Sequence, residues 1–350
     1  NIPPATTITD FEIIKLLGKG SFADVYLARR HANRQLYAIK VIQKQKVLQA
    51  NELQHTNDEL KILSRLNHPN LMRLHGAFQN ADNLYLVLDF MQGGELFHHI
   101  QKNKCFPERT AMFFVAQIIL ALEELHRQKV IMRDLKPENV LLGADGYVRV
   151  TDFGLSKLQA SDEAQGTTFC GTPEYLSPEQ LRNQRHGLEV DFWALGVIAY
   201  ELVAGVPPFY QRDQKQMFKA ILRGEVRFSD RFSLQAQSFI GSCLEKDPHK
   251  RLGAGGIHEL KQHPWLAKID FDKLLLKQYD LDYKPGAELS NFDSRFTQAT
   301  FNLKDVQDVD NTTVEDAQIF EGFEVDSKLG EKIVANQVKE LKEDSDFQDV

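Results

Sequence analysis

Residues 132–139 read Met132-Arg133-Asp134-Leu135-Lys136-Pro137-Glu138-Asn139, and residues 151–154 read Thr151-Asp152-Phe153-Gly154. Asp134 can accept the proton of a hydroxyl group and orient it, and Lys136 can reach a phosphoryl group from the same loop. Asn139 and Asp152 carry oxygen ligands of the kind that magnesium prefers. Each residue alone is also typical of a turn cap or a strand end. In this order and spacing they favour phosphoryl transfer from a magnesium nucleotide to a hydroxyl.

A glycine-containing turn, Gly18-Lys19-Gly20-Ser21-Phe22-Ala23, lies between two predicted strands. Glycines let backbone amides approach phosphates closely, although such a turn alone could equally be a tight hairpin. Val25 and the sequence Ala38-Ile39-Lys40 on a third predicted strand make the phosphate-binding interpretation specific. Glu59 lies in a helix predicted over residues 51–66. It is either a solvated carboxylate or the ion-pair partner of Lys40, and the other motifs favour the pair.

The composition is that of an ordinary globular protein, with 350 residues of which 42% are hydrophobic and 26% charged. The length indicates two domains or one large bilobal domain. Three cysteines without metal-like spacing imply no disulfide framework and indicate a reducing compartment. No signal peptide is recognisable, and the longest nearly apolar stretch, residues 111–122, is too short to span a bilayer.

We therefore expect a cytoplasmic protein without a transmembrane segment. A nuclear location, or recruitment to a membrane through a regulatory domain outside this sequence, is the alternative. The start at Asn1 instead of a methionine indicates a part of a longer protein.

Acidic side chains are concentrated at the C-terminus. The net charge is −7, yet residues 305–350 carry 14 acidic and 4 basic side chains, a balance of −10, which leaves +3 for the rest of the chain. We interpret this segment as a solvating tail, in preference to a segment with a specific charge-reading role. No basic patch of the kind that binds nucleic acid is evident, so nucleic acid is not an expected partner.

From Phe11 to Leu266 the chain resembles a eukaryotic protein kinase domain. The resemblance rests on Gly18-x-Gly20-x-x-Ala23-x-Val25, Ala38-Ile39-Lys40, Glu59, Arg133-Asp134-Leu135-Lys136-Pro137-Glu138-Asn139, Asp152-Phe153-Gly154, Ser177-Pro178-Glu179, Asp191-x-Trp193-x-x-Gly196 and Arg251. It implies an ion pair between Glu179 and Arg251, and anchoring of the 132–139 loop backbone by Asp191. The implied fold is α+β and bilobal: a lead-in (1–10), a kinase domain (11–266) with a small β-rich N-lobe that has one main helix (11–88), a hinge (89–94) and a larger helical C-lobe (95–266), and a C-terminal tail (267–350).

The resemblance implies ATP as the phosphoryl donor and Mg2+ as its cofactor. Asp134, Lys136 and Asn139 would be catalytic, and Asn139 and Asp152 would hold the metal. The sequence Lys136-Pro137-Glu138 is similar to the Ser/Thr-specific branch of the family. The residues expected to bind ATP are Leu17, Gly18, Lys19, Gly20, Ser21, Phe22, Ala23, Val25, Ala38, Lys40, Glu59, Asp89, Met91, Glu95, Leu141 and Asp152.

Residues 168–176, Thr-Phe-Cys-Gly-Thr-Pro-Glu-Tyr-Leu, resemble the activation segment of AGC kinases, the group that includes protein kinases A, B, C and G. Thr168 is then the expected activating phosphosite of an upstream kinase. His55, Arg133 and Lys157 would coordinate its phosphate and order the loop.

The tail carries two further similarities to AGC kinases. Asn291-Phe292-Asp293-x-x-Phe296-Thr297 resembles the tail segment that reaches the ATP cleft. Phe320-Glu321-Gly322-Phe323-Glu324 resembles the hydrophobic motif, with Glu324 at its phosphosite position. Phe320 and Phe323 are expected to dock in a groove of the N-lobe beside the Glu59 helix.

Glu95, Glu138 and Glu201 match positions at which AGC kinases bind substrate arginines. The expected partners are therefore proteins whose Ser/Thr acceptor follows Arg at −3 and −2, and the expected state is a monomer. The alternative is a pseudokinase, a scaffold that binds nucleotide and partners without transferring phosphate; the retained Lys40 and Asp134 argue against it. A small-molecule kinase is disfavoured by the segment Gly171-Thr172-Pro173-Glu174.

Met132 departs from the family pattern, which has His or Tyr at this position. It belongs to a hydrophobic column predicted to run through Leu74, Leu63, Phe153 and Met132. Methionine fills apolar gaps well, so the column is expected to survive the substitution.

Overall fold

The structure is a computed structural model, and it describes residues 7–158, 171–286 and 289–300 together with Val306, Phe320 and Phe323. The chain divides into two compact units. The first, here called the sheet unit, comprises Asn1–Asn67, Met72–Phe90 and Phe292–Val350. The second, the helical unit, comprises His68–Leu71 and Met91–Asn291. One β-rich and one helical unit agree with the predicted α+β class.

The sheet unit is built on a five-stranded antiparallel sheet with the order β1-β2-β3-β5-β4. Its strands are β1 (Phe11–Lys19), β2 (Ala23–Arg30), β3 (Leu36–Gln43), β4 (Leu74–Gln79) and β5 (Asn83–Asp89). Lys40 lies on the central strand β3, opposite Val25 of β2 and Leu86 of β5. The strand that follows the tight β1–β2 turn, β2, is therefore the direct neighbour of the strand that carries Lys40.

Two helices belong to the first part of the sheet unit, α1 (Lys44–Gln49) and α2 (Leu53–Arg65). The helix predicted over residues 51–66 is α2, whose apolar face buries Leu60, Ile62 and Leu63. Helix α1 was not predicted, because it has six residues and no side-chain N-cap. Asn51 separates the two helices with a left-handed backbone (φ 59°), a conformation that asparagine tolerates.

The core of the sheet unit contains a run of aromatic rings. Phe78 stacks on Tyr85 with ring centroids 4.7 Å apart and on Phe11 at 6.3 Å. The edge of Phe11 meets Tyr37 at 6.2 Å. Val306 from the tail is buried in the same cluster, and Phe296 packs against it from the short helix α11 (Ser294–Thr297).

The helical unit is organised around two long buried helices that contact each other, α4 (Glu108–Arg127) and α6 (Glu189–Ala204). Its other helices are α3 (Leu96–Asn103), α5 (Pro178–Leu181), α7 (Gln214–Arg223), α8 (Leu234–Cys243), α9 (His258–Lys261) and α10 (Phe271–Leu275). Its strands are β6 (Gly94–Glu95), β7 (Val130–Ile131), β8 (Val140–Leu142), β9 (Val148–Val150) and β10 (Lys157–Leu158). In the described part of the chain, no helix combines the length and the apolar character needed to cross a bilayer.

The buried ion pair predicted between Glu179 and Arg251 is present in the helical unit. Two parallel hydrogen bonds of 2.6 and 2.9 Å join the guanidinium to the carboxylate. Arg251 also donates to the carbonyl oxygens of Glu189 and Glu245 and lies 5.2 Å from the ring centroid of Trp193. Lys246 lies over the same ring at 4.9 Å, so two cations flank one buried indole.

Candidate active site

The segment 132–139 connects β7 to β8, and Asp191 at the start of α6 fixes its entrance. The backbone amides of Met132 and Arg133 donate to the two oxygens of Asp191, each over 3.0 Å. His126 of α4 contacts the same carboxylate at 2.8 Å. This is the backbone anchoring that the resemblance implied for Asp191. A buried carboxylate with three partners holds the loop in one position before any substrate arrives.

Asp134 lies at the centre of a polar cluster within the helical unit. Its Oδ1 accepts hydrogen bonds from the amide (3.0 Å) and the hydroxyl (3.1 Å) of Thr172. Its Oδ2 lies 2.8 Å from Nζ of Lys136, which also donates to the Thr172 hydroxyl at 2.8 Å. The side-chain amide of Asn139 donates to the main-chain oxygen of Asp134 at 2.9 Å. The three predicted catalytic residues therefore lie together.

Thr172 is the member of this cluster that the sequence did not single out. The segment Gly171-Thr172-Pro173-Glu174 was used only for the resemblance to an activation segment and against a small-molecule kinase, although a threonine next to a glycine was an available signal. Gly171 is required here: its φ is +112°, and a Cβ would lie 3.1 Å from the carbonyl oxygen of Arg133. The glycine lets Thr172 approach Asp134.

Two non-glycine residues of the 132–139 and 151–154 segments have left-handed backbone conformations: Arg133 (φ 64°) and Asp152 (φ 63°). Such strain costs about 1–3 kcal/mol each and persists where the surrounding structure enforces it, as it does at functional sites. Arg133 is held by its anchored amide and by a hydrogen bond from Nε to the carbonyl oxygen of Leu155 at 2.6 Å.

The donor set fits magnesium. Because the nitrogen of the Asn139 amide is used by Asp134, its oxygen remains as the acceptor, and the carboxylate of Asp152 is exposed. No group of three or more His, Cys, Asp or Glu side chains that could hold a metal occurs among the described residues. Asn139 and Asp152 would supply only two oxygen ligands. This number suits magnesium, which usually keeps water molecules and substrate phosphate oxygens as its other ligands.

In the sheet unit, Lys40 and Glu59 form the predicted ion pair. Nζ of Lys40 donates to both oxygens of Glu59, over 2.7 and 2.9 Å. The pair joins the central strand β3 to helix α2. Both side chains are largely buried, so the ammonium group has a fixed position close to the β1–β2 turn.

The tip of the β1–β2 turn is exposed to solvent. The amide of Gly20 donates to the carbonyl oxygen of Ala23 at 2.8 Å and closes the turn, and Phe22 is 38% exposed at its tip. A Cβ at Gly18 would meet no atom within 4 Å. The residues predicted to bind ATP lie in both units, with Met91, Glu95, Leu141 and Asp152 in the helical unit and the others in the sheet unit.

Of the three carboxylates predicted to read substrate arginines, Glu201 is buried in the helical unit, and Glu138 is partly buried there. Oε2 of Glu138 is buried with no hydrogen-bond partner, and burial raises the pKa of its carboxyl. Glu201 accepts a hydrogen bond of 2.6 Å from the Tyr175 hydroxyl. Burial raises the pKa of Glu201 to about 7, and the charges of Glu138 and Glu174 act in the same direction. Glu95 is exposed at the end of β6.

Several predictions about regulation fall on residues outside the described part of the chain, namely Thr168, Glu324 and the side chain of Lys157. His55, predicted to bind the Thr168 phosphate, contacts Oε2 of Glu52 through Nδ1 at 2.5 Å. That contact lies within the sheet unit, whereas Arg133 belongs to the helical unit. The prediction of a phosphate site therefore stays a prediction.

The two aromatic residues of the hydrophobic motif are buried in the sheet unit, as expected of a docked tail. The carbonyl oxygen of Phe320 accepts a hydrogen bond of 3.1 Å from Gln79 at the end of β4. Lys44 of α1 lies 5.3 Å from the centroid of its ring. Phe323 is equally buried.

The four members of the predicted hydrophobic column divide between the units. Met132 and Phe153 are fully buried in the helical unit. Leu63 is buried and Leu74 half-buried in the sheet unit. Burial of Met132 agrees with its interpretation as a packing residue.

Comparison with known proteins adds independent support. The family model described as "Protein kinase domain" matches residues 11–266. "Protein kinase 2" of Dictyostelium discoideum is 42% identical over 300 residues, which cover 84% of this chain and 62% of that protein. "Serine/threonine-protein kinase gad8" of Schizosaccharomyces pombe is 43% identical over 295 residues, 83% of this chain and 52% of that protein. "Serine/threonine-protein kinase Sgk1" of Gallus gallus is 42% identical over 300 residues, which cover 84% of this chain and 69% of that protein.

The chain thus spans between about half and two thirds of the length of these curated relatives. The match to the family model and the identity to several serine/threonine kinases agree with the geometry of the site. The chain belongs to the protein kinase family and, within it, to the AGC group of serine/threonine kinases.

Proposed function

We propose that this protein transfers the γ-phosphoryl group of ATP to Ser/Thr hydroxyls of protein substrates. The observation that carries the proposal is the cluster of Asp134, Lys136, Asn139 and Thr172. Asp134 would orient the acceptor hydroxyl and accept its proton. Lys136, held 2.8 Å from Asp134, would balance the charge on the transferring group.

Asn139 and Asp152 would hold magnesium, and the metal would neutralise charge on the phosphate oxygens. Lys40, fixed by Glu59, would hold the α- and β-phosphates, and the amides of the β1–β2 turn would face the remaining phosphate oxygens. The predicted division into kinase domain (11–266) and tail (267–350) belongs to this proposal, as do the monomeric state and the cytoplasmic location.

The preference for arginine at −3 and −2 is supported by the electrostatics of Glu138 and Glu201. Glu201 is buried and Glu138 is partly buried, both near other carboxylates, and the pKa of each is raised because its charged form is disfavoured. A guanidinium group with its fork of donors would supply the missing hydrogen bonds of Glu138 and stabilise both charges. Binding of a basic peptide would therefore relieve a cost that the free protein carries.

We expect Glu201→Gln to raise KM for a peptide with arginines before its acceptor. In the native protein the charge of Glu201 is lost as the pH falls through about 7. KM for this peptide should therefore rise several-fold from about pH 8 to about pH 6, whereas the variant should show a high KM with little pH dependence. Initial rates at several pH values measure the effect. Glu225→Gln, at an exposed carboxylate of the same unit, is the control.

The same substitution should raise stability. Folding raises the pKa of Glu201 from 4.5 to about 7, so its contribution to stability is complete below about pH 4.5 and is lost as the pH rises through 7. Glu201→Gln should then increase the free energy of unfolding above neutral pH, by at most about 3 kcal/mol.

The kinetic prediction has its own contradicting outcome. An unchanged KM of Glu201→Gln for the arginine-containing peptide at about pH 8 would contradict a peptide-binding role for Glu201.

Regulation by phosphorylation at Thr168 and by docking of the tail is part of the proposal. Burial of Phe320 and Phe323 supports docking of the tail. The pseudokinase alternative has no comparable support, because Lys40, Glu59, Asp134, Asn139 and Asp152 are all present.

The experiment that tests the function is transfer of radiolabel from ATP to a Ser peptide with Arg at −3 and −2. The enzyme should be the full chain phosphorylated at Thr168, assayed with and without magnesium. We expect magnesium-dependent transfer to this peptide and weaker transfer to a peptide with Glu at both positions. A phosphorylated, folded preparation that transfers no label would overturn the proposal.

A further inference from the structure

His75 interrupts the regular pairing of β4 with β5. Leu74 lies opposite Leu88 and Gly76 lies opposite Val87, so β4 has one residue more than β5 at this point, and that residue is His75. An extra residue of this kind is a β-bulge, which changes the direction of a side chain and is frequent next to functional sites. The bulge therefore decides where the imidazole of His75 points.

The imidazole of His75 contacts the carboxylate of Asp89, the last residue of β5. Nε2 lies 2.6 Å from Oδ1, and the two side chains are only 16% and 23% exposed. Because an ionised carboxylate only accepts hydrogen bonds, Nε2 carries a hydrogen and donates it. Hydrogen bonds to a charged group are shorter and stronger than those between neutral groups. The side chain of Asp89 is therefore held in one direction.

Tyr37 on β3 fixes the ring of His75. The two rings meet edge to face, with centroids 5.1 Å apart and an interplanar angle of 77°. Tyr37 lies opposite Asp89 in the pairing of β3 with β5. The tyrosine hydroxyl donates to Gln35 and accepts from Asn33, so the supporting ring is itself held. Three adjacent strands, β3, β5 and β4, thus contribute to the contact between His75 and Asp89.

The main chain at the end of β5 is held at the same place. The amide of Asp89 donates to the carbonyl oxygen of Arg73 over 3.3 Å. Asp89 is one of the residues expected to bind ATP, and it begins the predicted hinge (89–94). Because its carboxylate is directed to His75, the contribution of Asp89 to ATP binding would come from its main chain.

We propose that His75 is a positioning residue for ATP: by holding the carboxylate of Asp89, it fixes the main chain that the end of β5 offers to the nucleotide. The inference rests on the proposed function, since it concerns the nucleotide that the enzyme would use. A main chain that is already ordered loses little conformational freedom when ATP binds. Loss of the contact should therefore weaken ATP binding and leave the chemical step unchanged, because Asp134 and Lys136 belong to the helical unit.

The test is titration of the full chain with ATP and magnesium in the absence of peptide. Calorimetry gives Kd, and steady-state kinetics with peptide give KM for ATP and kcat. His75→Leu removes the donor and keeps an apolar side chain beside Tyr37. We expect Kd and KM to rise about three- to tenfold, the effect of one hydrogen bond, with kcat unchanged. His31→Leu, at an exposed histidine of the same unit, is the matched control and should leave all three values native.

Two further variants separate positioning from a purely structural role. His75→Gln supplies an amide donor near the place of Nε2, so Kd and KM should return to within about twofold of the native values. Asp89→Ala removes the acceptor and should raise both constants by itself. Addition of His75→Leu to Asp89→Ala should raise them no further, because the two residues act through one contact. Removing either partner tests the contact, so the test does not depend on the folding of a single variant.

Hydrogen–deuterium exchange in peptides that cover residues 86–91 measures the order of this main chain without reference to activity. Exchange should rise in His75→Leu and in Asp89→Ala and stay native in His31→Leu. Native Kd and KM in His75→Leu and Asp89→Ala would overturn the inference. A lower kcat with native KM in these two variants would overturn it as well, and so would a lower midpoint of thermal unfolding without a change in either constant.

ATP binding and phosphoryl transfer are measured on the same preparations, so the two proposals can fail separately. If the variants weaken ATP binding as expected while the native chain transfers no phosphate, the role of His75 stands and the proposed function fails. If the native chain is active while Kd and KM do not respond to the variants, the proposed function stands and the role of His75 fails.

Discussion

Asp134→Asn is expected to lower kcat for peptide phosphorylation by about 10²–10⁴-fold, the range for loss of a positioned general base. An asparagine oxygen can still accept from the amide and the hydroxyl of Thr172, so the segment 171–172 should stay in place. The substitution removes the carboxylate that would accept the proton and the charge that holds Lys136 at 2.8 Å. KM for ATP should change little, because Lys40 and Glu59 are untouched.

Steady-state kinetics with saturating ATP and peptide measure this effect. The matched control is Asp145→Asn, which removes an exposed carboxylate paired with Lys277 in the β8–β9 turn; its kcat should equal that of the native protein. The midpoint of thermal unfolding should be close to native for both variants. An active Asp134→Asn enzyme would remove Asp134 from the proposed chemistry.

Arg251→Met should cost about 3–5 kcal/mol of the free energy of unfolding, because it leaves the carboxylate of Glu179 buried without its partner. Arg251 is buried, and its guanidinium group can donate five hydrogen bonds. The structure shows four of them: two to the carboxylate of Glu179 and one each to the carbonyl oxygens of Glu189 and Glu245. Burial would raise the pKa of Glu179, but the hydrogen bonds and charge of Arg251 outweigh it and hold that pKa below its ordinary value. This contribution to stability is present above the ordinary pKa of a glutamate and is lost as the pH falls through the folded one.

Urea unfolding followed by circular dichroism measures the loss. The double variant with Glu179→Met should recover much of it, because no charge is then left buried. The comparison is the pair of Arg127 and Glu124, in which the arginine is exposed: Arg127→Met should cost less than about 1 kcal/mol. Equal losses at the two arginines would mean that burial of the Glu179–Arg251 pair has no energetic consequence.

The sequence was informative where a motif names both partners of a contact. The pairs Lys40–Glu59 and Glu179–Arg251 are present at hydrogen-bonding distance. The contact of Asp191 with the backbone of the 132–139 loop is present as well. In each case a charged side chain must be paired when buried, so finding the two residues in the right order was sufficient.

The sequence was less informative where position depends on packing. The burial of Glu201 was not predicted, because α6 is apolar on nearly all sides and its periodicity does not show which residue faces a cavity or a tyrosine. Val306 lies in an acidic segment that was interpreted as a solvating tail, so its burial was not predicted. The strand β10 was not predicted, because it pairs with β7 over only two residues and is too short to show a strand pattern.

Tryptophan fluorescence should report on the helical unit separately from the sheet unit. The indole of Trp193, which lies between Lys246 and Arg251, belongs to the helical unit. The chain has two tryptophans, Trp193 and Trp265, and both are buried in the helical unit. Excitation selective for tryptophan should therefore report the opening of α6 and its neighbours as a red shift, while changes confined to the sheet unit leave the emission wavelength unaltered. Disruption around Arg251 by Arg251→Met should then shift the emission wavelength, whereas loss of the Lys40–Glu59 pair in the sheet unit should leave it unchanged.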